Sequence, residues 1–200
     1  MPPHPFKMDF DALAEHYSKL VRKHGDSAEG AQYIDRATQE KRFAVLSEVG
    51  DVRQAKILDF GCGTGQLLAY LKRERDFTGE YTGYDLSEGA LAVARTRFPE
   101  ARFECRDILA NPPTDDFDYV FVSGVFNNKV RDNWALFQAL ARTLYDRARI
   151  AFAFNVLSLY VDYLDSDLAY YEPEKVFAFC KENLSPCVTL RHDYEVKEGA

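Results

Sequence analysis

The chain has 200 residues, 46% of them hydrophobic and 28% charged, with a formal net charge of -7 at pH 7. A chain of this size buries roughly 70% of its unfolded surface, enough for one compact domain without a second. The acidic balance argues against a surface built to neutralise many phosphates, so a small neutral or cationic substrate is the expected partner and nucleic acid is not.

The opening MPPHPFKM lacks the basic start and apolar core of a secretory leader. No uninterrupted apolar run approaches the roughly 18 residues of a membrane span, so a cytoplasmic protein without a membrane partner is expected. Cys62, Cys105, Cys180 and Cys187 form no ligand-spaced pair, so reduced thiols and no bound metal are expected.

In chain order, DFDALAEHYSKLVRKHG places Phe10, Leu13, Ala14, Tyr17, Leu20 and Val21 at helical spacing and stops at Gly25. Residues 28–50 suggest a second helix, with Ile34, Phe43, Leu46 and Val49 packing inward. The pattern then changes to short β-branched or aromatic runs. KILDF (56–60), YTGYD (81–85), ARFEC (101–105), FDYVFVS (117–123), RIAFAFN (149–155) and CVTLRHDY (187–194) read as six strands. Helices are expected between them at 66–73, 88–97, 132–145 and 173–183, the last with a proline in its first turn. Strands alternating with crossover helices imply an open, doubly wound, mainly parallel α/β sheet covered on both faces, with the ligand outside the carboxyl ends of the strands.

ILDFGCGTGQLL occupies that position. Gly61, Gly63 and Gly65 follow one strand and precede a helix, so loop amides and a helix N-terminus can face a polar ligand at close range. The dinucleotide fingerprint GxGxxG would need glycine at 66, where Gln66 stands, and no Gly-Lys-Ser/Thr follows for a Walker loop. Asp85, twenty positions after Gly65, ends a strand where a carboxylate can accept both hydroxyls of a ribose. Asp107 ends the next strand, placed to accept from an adenine amino group while the Ile108 amide reaches a ring nitrogen.

Asp59-Phe60-Gly61-Cys62-Gly63-Thr64-Gly65, Asp85-Leu86-Ser87, Arg106-Asp107-Ile108 and Phe117-Asp118-Tyr119-Val120 resemble the successive motifs of class I S-adenosylmethionine-dependent methyltransferases, over residues 55–155. The resemblance implies that Asp59 and the loop from Gly61 through Cys62 and Gly63 to Gly65 hold the methionine portion. It implies Asp85 and Leu86 at the ribose, and Asp107 with Ile108 at the adenine. Ser123, Gly124 and the two residues after them would line the open side. Tyr17 would close over the cofactor and Arg36 would meet its carboxylate. One methyltransferase domain over 1–200 is expected, with 1–50 as a helical lid. The family sheet usually ends in a hairpin, but only EVKEGA follows CVTLRHDY, so the usual last strand is expected to be missing.

Acceptor contacts are expected from Asn127, Asn128 and Asn155 near strand ends, and from a substrate-side insertion at 156–172 that carries Tyr160, Tyr163, Tyr170 and Tyr171. Asn111-Pro112-Pro113 reads as a turn before a strand. Neither His16 nor His192 is placed to act as a base, since His192 and Asp193 point to opposite faces of their strand. A carboxylate acceptor needs no base and wants a cation, for which Arg36 and Lys129 are candidates. The expected function is methyl transfer from S-adenosylmethionine to a small-molecule acceptor by in-line displacement. Two alternatives are a non-catalytic S-adenosylmethionine-binding partner protein and an NAD-dependent oxidoreductase.

Overall fold

The computed structural model describes residues 4–32 and 34–194. Five parallel strands form the sheet: β1 (Lys56–Phe60), β2 (Glu80–Asp85), β3 (Arg102–Cys105), β4 (Phe117–Val122) and β5 (Ala148–Phe154). Their order is β3-β2-β1-β4-β5, so the chain changes direction across the sheet between β1 and β4. The carboxyl ends of those two strands flank the crevice where such sheets take ligands.

Helices α1 (Lys7–His24), α2 (Arg36–Leu46), α3 (Gln66–Glu74), α4 (Glu88–Arg97), α5 (Asn133–Tyr145) and α6 (Pro173–Asn183) cover the sheet. Their starts follow local chemistry. The side chains of Asp35, Ser87 and Asp132 accept from the Thr38, Ala90 and Ala135 amides and cap α2, α4 and α5, while Pro173 opens α6.

Alternation along the strands divides the interior in two. Leu58, Phe60, Tyr84, Val120 and Val122 face α5 and α6 and surround Phe137, which is fully buried. Ile57, Tyr81, Tyr119 and Phe121 point the other way, against Phe43 of α2, Leu67, Leu68 and Leu71 of α3, and Leu91 and Ala94 of α4. With both faces covered, β1 and β4 are buried almost throughout, as parallel strands are.

Two expectations are corrected. The helix expected over 28–50 is broken: a 3-10 turn at Glu29–Ala31 ends on Gln32 in the left-handed region at φ 58°, and the chain restarts at the Asp35 cap. Phe43 and Leu46 pack inward, but Ile34 is 51% exposed and Val49 lies at the surface beyond the end of α2.

Residues 187–194 form no strand. Arg191 pairs with Glu48 and Asp193, drawing the segment toward the end of α2 instead of alongside β5. The sheet therefore has five strands, not six. Among the described residues β5 is an edge, with Ile150 64% exposed. The insertion at 156–172 adds a separate two-stranded piece, β6 (Leu157–Ser158) paired with β7 (Tyr170–Tyr171).

Phe137 meets Phe126, Trp134, Phe154, Tyr171 and Phe179 at ring centroid distances of 5.1 to 5.9 Å. Phe137→Ala should cost about 3–5 kcal/mol in a urea unfolding titration. A loss under about 1 kcal/mol would show that this cluster does not carry the fold.

Candidate functional site

The loop after β1 folds back onto the end of β2. The Gly61 and Cys62 amides donate to the Tyr84 carbonyl at 2.7 and 3.1 Å, and the Gly63 amide donates to Asp85 Oδ2 at 2.8 Å. Gly61, Gly63 and Gly65 all have left-handed backbones, at φ 81°, 52° and 80°. A Cβ on Gly61 would lie 2.2 Å from Val125 Cγ2, whereas one on Gly63 would meet nothing within 4 Å. Gly61 therefore permits close packing beneath the loop, and Gly63 keeps the space above it clear. Gly65 begins α3 with no side-chain cap, so the first amides of that helix are presented at the same loop.

The loop floors a cleft of about 1870 Å³ whose walls include Tyr17, Asp59, Asp85, Leu86, Ser123, Gly124, Asn127, Asn155 and Tyr160. Asp85 accepts from the Gly63 and Ser87 amides, both at 2.8 Å. A carboxylate has about four acceptor sites, so two remain for a vicinal diol. Burial raises the Asp85 carboxyl above its ordinary range, against the pull of the amides around it. Asp59 is 2% exposed and accepts from the Tyr81 hydroxyl. Burial pushes its carboxyl up to about 7; the Tyr81 hydrogen bond opposes that shift and the neighbouring Asp85 charge adds to it. The Cys62 thiol is buried and also raised well above its ordinary value by burial, so it is an inert part of the loop.

The segment after α1 is clasped to this loop through Asp26. Its carboxylate takes the Thr64 hydroxyl, the Gln66 amide at 3.2 Å and an Arg97 guanidinium nitrogen at 2.7 Å. On α1 itself, Ser18 bonds to Ser87 at 2.9 Å. Tyr17 lines the cleft, and its hydroxyl accepts from Asn128 Nδ2 at 2.5 Å.

Across the cleft, Asn155 braces the strand ends: its Oδ1 accepts from the Gly124 amide at 2.9 Å and its Nδ2 donates to Ser123 Oγ at 3.0 Å. Two buried oxygens among the cleft residues, Gln66 Oε1 and Asn127 Oδ1, have no hydrogen-bond partner within the protein. Uncommitted acceptors on Asp85, orphaned amide oxygens and a clear space above Gly63 fit a nucleoside bearing an amino acid tail.

The other expected residues differ in how they stand to the cleft. Arg36 begins α2 facing solvent, its side chain 70% exposed and paired with Glu40 at 2.8 Å, and it does not line the cleft. The Ile108 side chain is fully buried in the core facing α5, and the expectation for this residue concerns its backbone amide. Asp107 lies beside the cleft instead of in its wall, accepting from the Leu109 and Ala110 amides at 3.1 Å and contacting His4 at 2.8 Å. Asn128 supports Tyr17 and, through its carbonyl, Asn133, and is not a wall residue. Tyr160 stands on the outer rim, 66% exposed, and bonds to Glu174 at 2.7 Å. Tyr171 is buried, donating to the Phe126 carbonyl at 3.1 Å.

Sequence reading missed Thr38, Gln39 and Arg42 of α2, all 8% exposed or less and all in the cleft wall. Thr38 and Arg42 are one helical turn apart, and polar residues at that spacing within an inward-facing helix were the available signal. Among the described residues, no cluster of His, Cys, Asp and Glu could hold a metal ion, and no helix is long and apolar enough to cross a membrane.

Strand order, glycine loop and the carboxylate on β2 together define the class I S-adenosylmethionine-dependent methyltransferase fold. The sequence profile described as "Methyltransferase domain" matches residues 57–147. Trans-aconitate 2-methyltransferase of Sinorhizobium medicae is 34% identical over 101 residues, which are 50% of this chain and 38% of that protein. The chain thus matches well under half the length of this curated relative. Magnesium protoporphyrin IX methyltransferase of Synechocystis, solved with S-adenosylhomocysteine, shares the fold at TM-score 0.67 and 15% identity, covering 88% of this chain and 87% of that one. The cyclase SpnF shares it at TM-score 0.63 and 16% identity, covering 86% and 72%.

Gly63→Ala should fold with a loss of about 1–2 kcal/mol, the cost of a left-handed side chain, while binding of S-adenosylhomocysteine weakens at least tenfold in calorimetry. Full affinity would mean that the ligand does not pass over this loop. For Asp59, the folded protein keeps the proton between about pH 4, where the unfolded carboxyl releases it, and about pH 7. Its contribution to stability therefore falls as pH rises through that window, by up to about 4 kcal/mol, and is level above it. Asp59→Asn should flatten this fall in melting temperature between pH 4 and 8, and equal slopes in both proteins would assign the fall to other groups.

Proposed function

We propose that this protein transfers a methyl group from S-adenosylmethionine to a small-molecule acceptor by in-line displacement, and that the acceptor is an organic acid methylated on a carboxylate oxygen. The observation that carries the first part is Asp85, facing the cleft beneath the glycine loop with two acceptor sites uncommitted. When bound, S-adenosylmethionine supplies a methyl group on a positively charged sulfur, which leaves without needing a proton.

The chain's own contribution is then binding and alignment. Asp85 accepts the ribose hydroxyls, the uncapped first amides of α3 and Asp59 meet the amino acid end, and Asn155 keeps the ends of β4 and β5 at fixed separation. We read residues 1–50 as a lid, with Tyr17 closing the cleft, and 156–172 as the acceptor-side wall of the same domain. Holding two reactants aligned in a site shielded from water supplies a large part of such a barrier reduction.

Arg42 supports the acid acceptor. It is 6% exposed, the sole buried cation among the described residues, and shares the cleft wall with Thr38 and Gln39. Its planar fork of donors matches a carboxylate. An ionised carboxylate attacks without a general base, which suits a cleft whose histidine, His192, sits beside exposed Tyr160 on the rim. The relatives named for an acid, trans-aconitate, agree with this reading.

Calorimetric titration with S-adenosylmethionine, S-adenosylhomocysteine and NAD should show micromolar binding of the first two alone, and binding of NAD alone would restore the oxidoreductase reading. Asp85→Ala should weaken that binding about 10- to 150-fold, equivalent to about 1.5–3 kcal/mol. Unchanged affinity would remove its ribose role. In an acceptor screen read by mass spectrometry, small organic acids should gain methyl groups, and Arg42→Gln should raise their KM at least tenfold with kcat largely kept. Turnover of amines or phenols alone would refute the acid acceptor, and binding without any turnover would favour a partner subunit.

A further inference from the structure

The turn ahead of α1 makes one polar contact with a residue expected at the cofactor. His4 Nε2 lies 2.8 Å from Asp107 Oδ2, with the two side chains 11% and 19% exposed. The Phe6 amide donates to Nδ1 of the same ring at 3.2 Å. Nδ1 therefore carries no proton, and it is Nε2–H that donates to the carboxylate. The ring stands edge-on to Phe10 at 5.1 Å, and Phe10 is itself buried in the core. Arg131 holds this turn from its other side, donating to the Pro5 carbonyl at 2.6 Å and pairing with Asp9 at 2.9 Å.

The acceptor sites of Asp107 can be counted. Oδ1 takes the Leu109 and Ala110 amides, each at 3.1 Å, and Oδ2 takes His4. Of about four lone-pair sites, one is left, and it is on Oδ2. The side chain keeps enough exposure for that site to be reached. It lies two residues beyond β3, the strand whose Cys105 pairs with Asp85 of β2, so the base end and the ribose end are adjacent.

We propose that His4 is a positioning residue for cofactor recognition: it fixes the Asp107 carboxylate so that the remaining site on Oδ2 accepts the exocyclic amino group of adenine. The proposal rests on reading Asp107 as the adenine acceptor. Docking of the N-terminal turn then becomes part of reading the base, because the Leu109 and Ala110 amides hold Oδ1 and His4 supplies the contact at Oδ2.

The test compares S-adenosylhomocysteine with S-inosylhomocysteine, which carries an exocyclic carbonyl oxygen where adenine has its amino group, by calorimetry on the full chain. Wild type should prefer the adenosyl compound at least tenfold. Asp107→Asn should abolish the preference, His4→Ala should reduce it three- to tenfold, and His4→Gln, which keeps a donor near the same place, should restore part of it. Circular dichroism melts confirm that each variant is folded. If Asp107→Asn keeps the preference, the adenine reading of Asp107 fails and the proposal falls with it. If Asp107→Asn abolishes the preference and His4→Ala leaves it intact, the reading of Asp107 stands and the role of His4 is overturned. Equal weakening toward both compounds in His4→Ala would make the contact merely structural, and tighter binding would make His4 a block; either result overturns the proposal.

Discussion

The 2.8 Å hydrogen bond from the Gly63 amide to Asp85 ties the tip of one crossover loop to the end of the neighbouring strand, and the cofactor end of the cleft is arranged around it. It holds a half-buried carboxylate whose charge would otherwise be costly. It leaves the other side of that carboxylate facing the cleft, and it holds a left-handed loop under open space. Close packing of Val125 against Gly61 and the return of two loop amides to the Tyr84 carbonyl fix the same geometry from below. The site is thus largely formed in the protein alone, and the ligand has little ordering left to bring about.

Around this loop the polar residues do two kinds of work that look alike in sequence. Asn155 and Asn128 both follow strands, yet Asn155 braces two strand ends within the cleft wall while Asn128 reaches away to Tyr17 of α1. Asp26 gathers a hydroxyl, an amide and a guanidinium, joining the segment after α1 to the glycine loop and α4. The glycine loop and the segment after α1 are thereby tied together at that end.

Five strands, the crossover helices and the glycine loop were legible in the chain because each has a short-range cause: a β-branched run, a capping side chain, a glycine where φ must be positive. CVTLRHDY has the composition of a strand but, among the described residues, no strand beside it; Arg191 pairs with Glu48, a contact 143 residues apart that no local pattern announces. Ile34 and Val49 were misjudged for a related reason, since the left-handed Gln32 and the end of α2 at Leu46 break the periodicity that would have carried them inward. Arg36 and Arg42 are six residues apart on the same segment, and only the start of α2 at the Asp35 cap decides which of them faces the cleft. Asp107 was read as a ligand contact from its place after β3, but a partner more than a hundred residues away, His4, cannot be seen from local pattern.

Among the described residues no strand pairs with the outer flank of β5, which bears on how copies of this chain behave toward one another. Its outer backbone groups and Ile150 offer a template for strand addition, the usual route to edge-to-edge association. Against this stands a net charge of -7, which makes two approaching copies repel. That repulsion reaches about 10 Å at 0.1 M salt and about 3 Å at 1 M. Colloidal behaviour should therefore be governed by ionic strength, with dilute salt keeping copies apart and concentrated salt letting the edges meet.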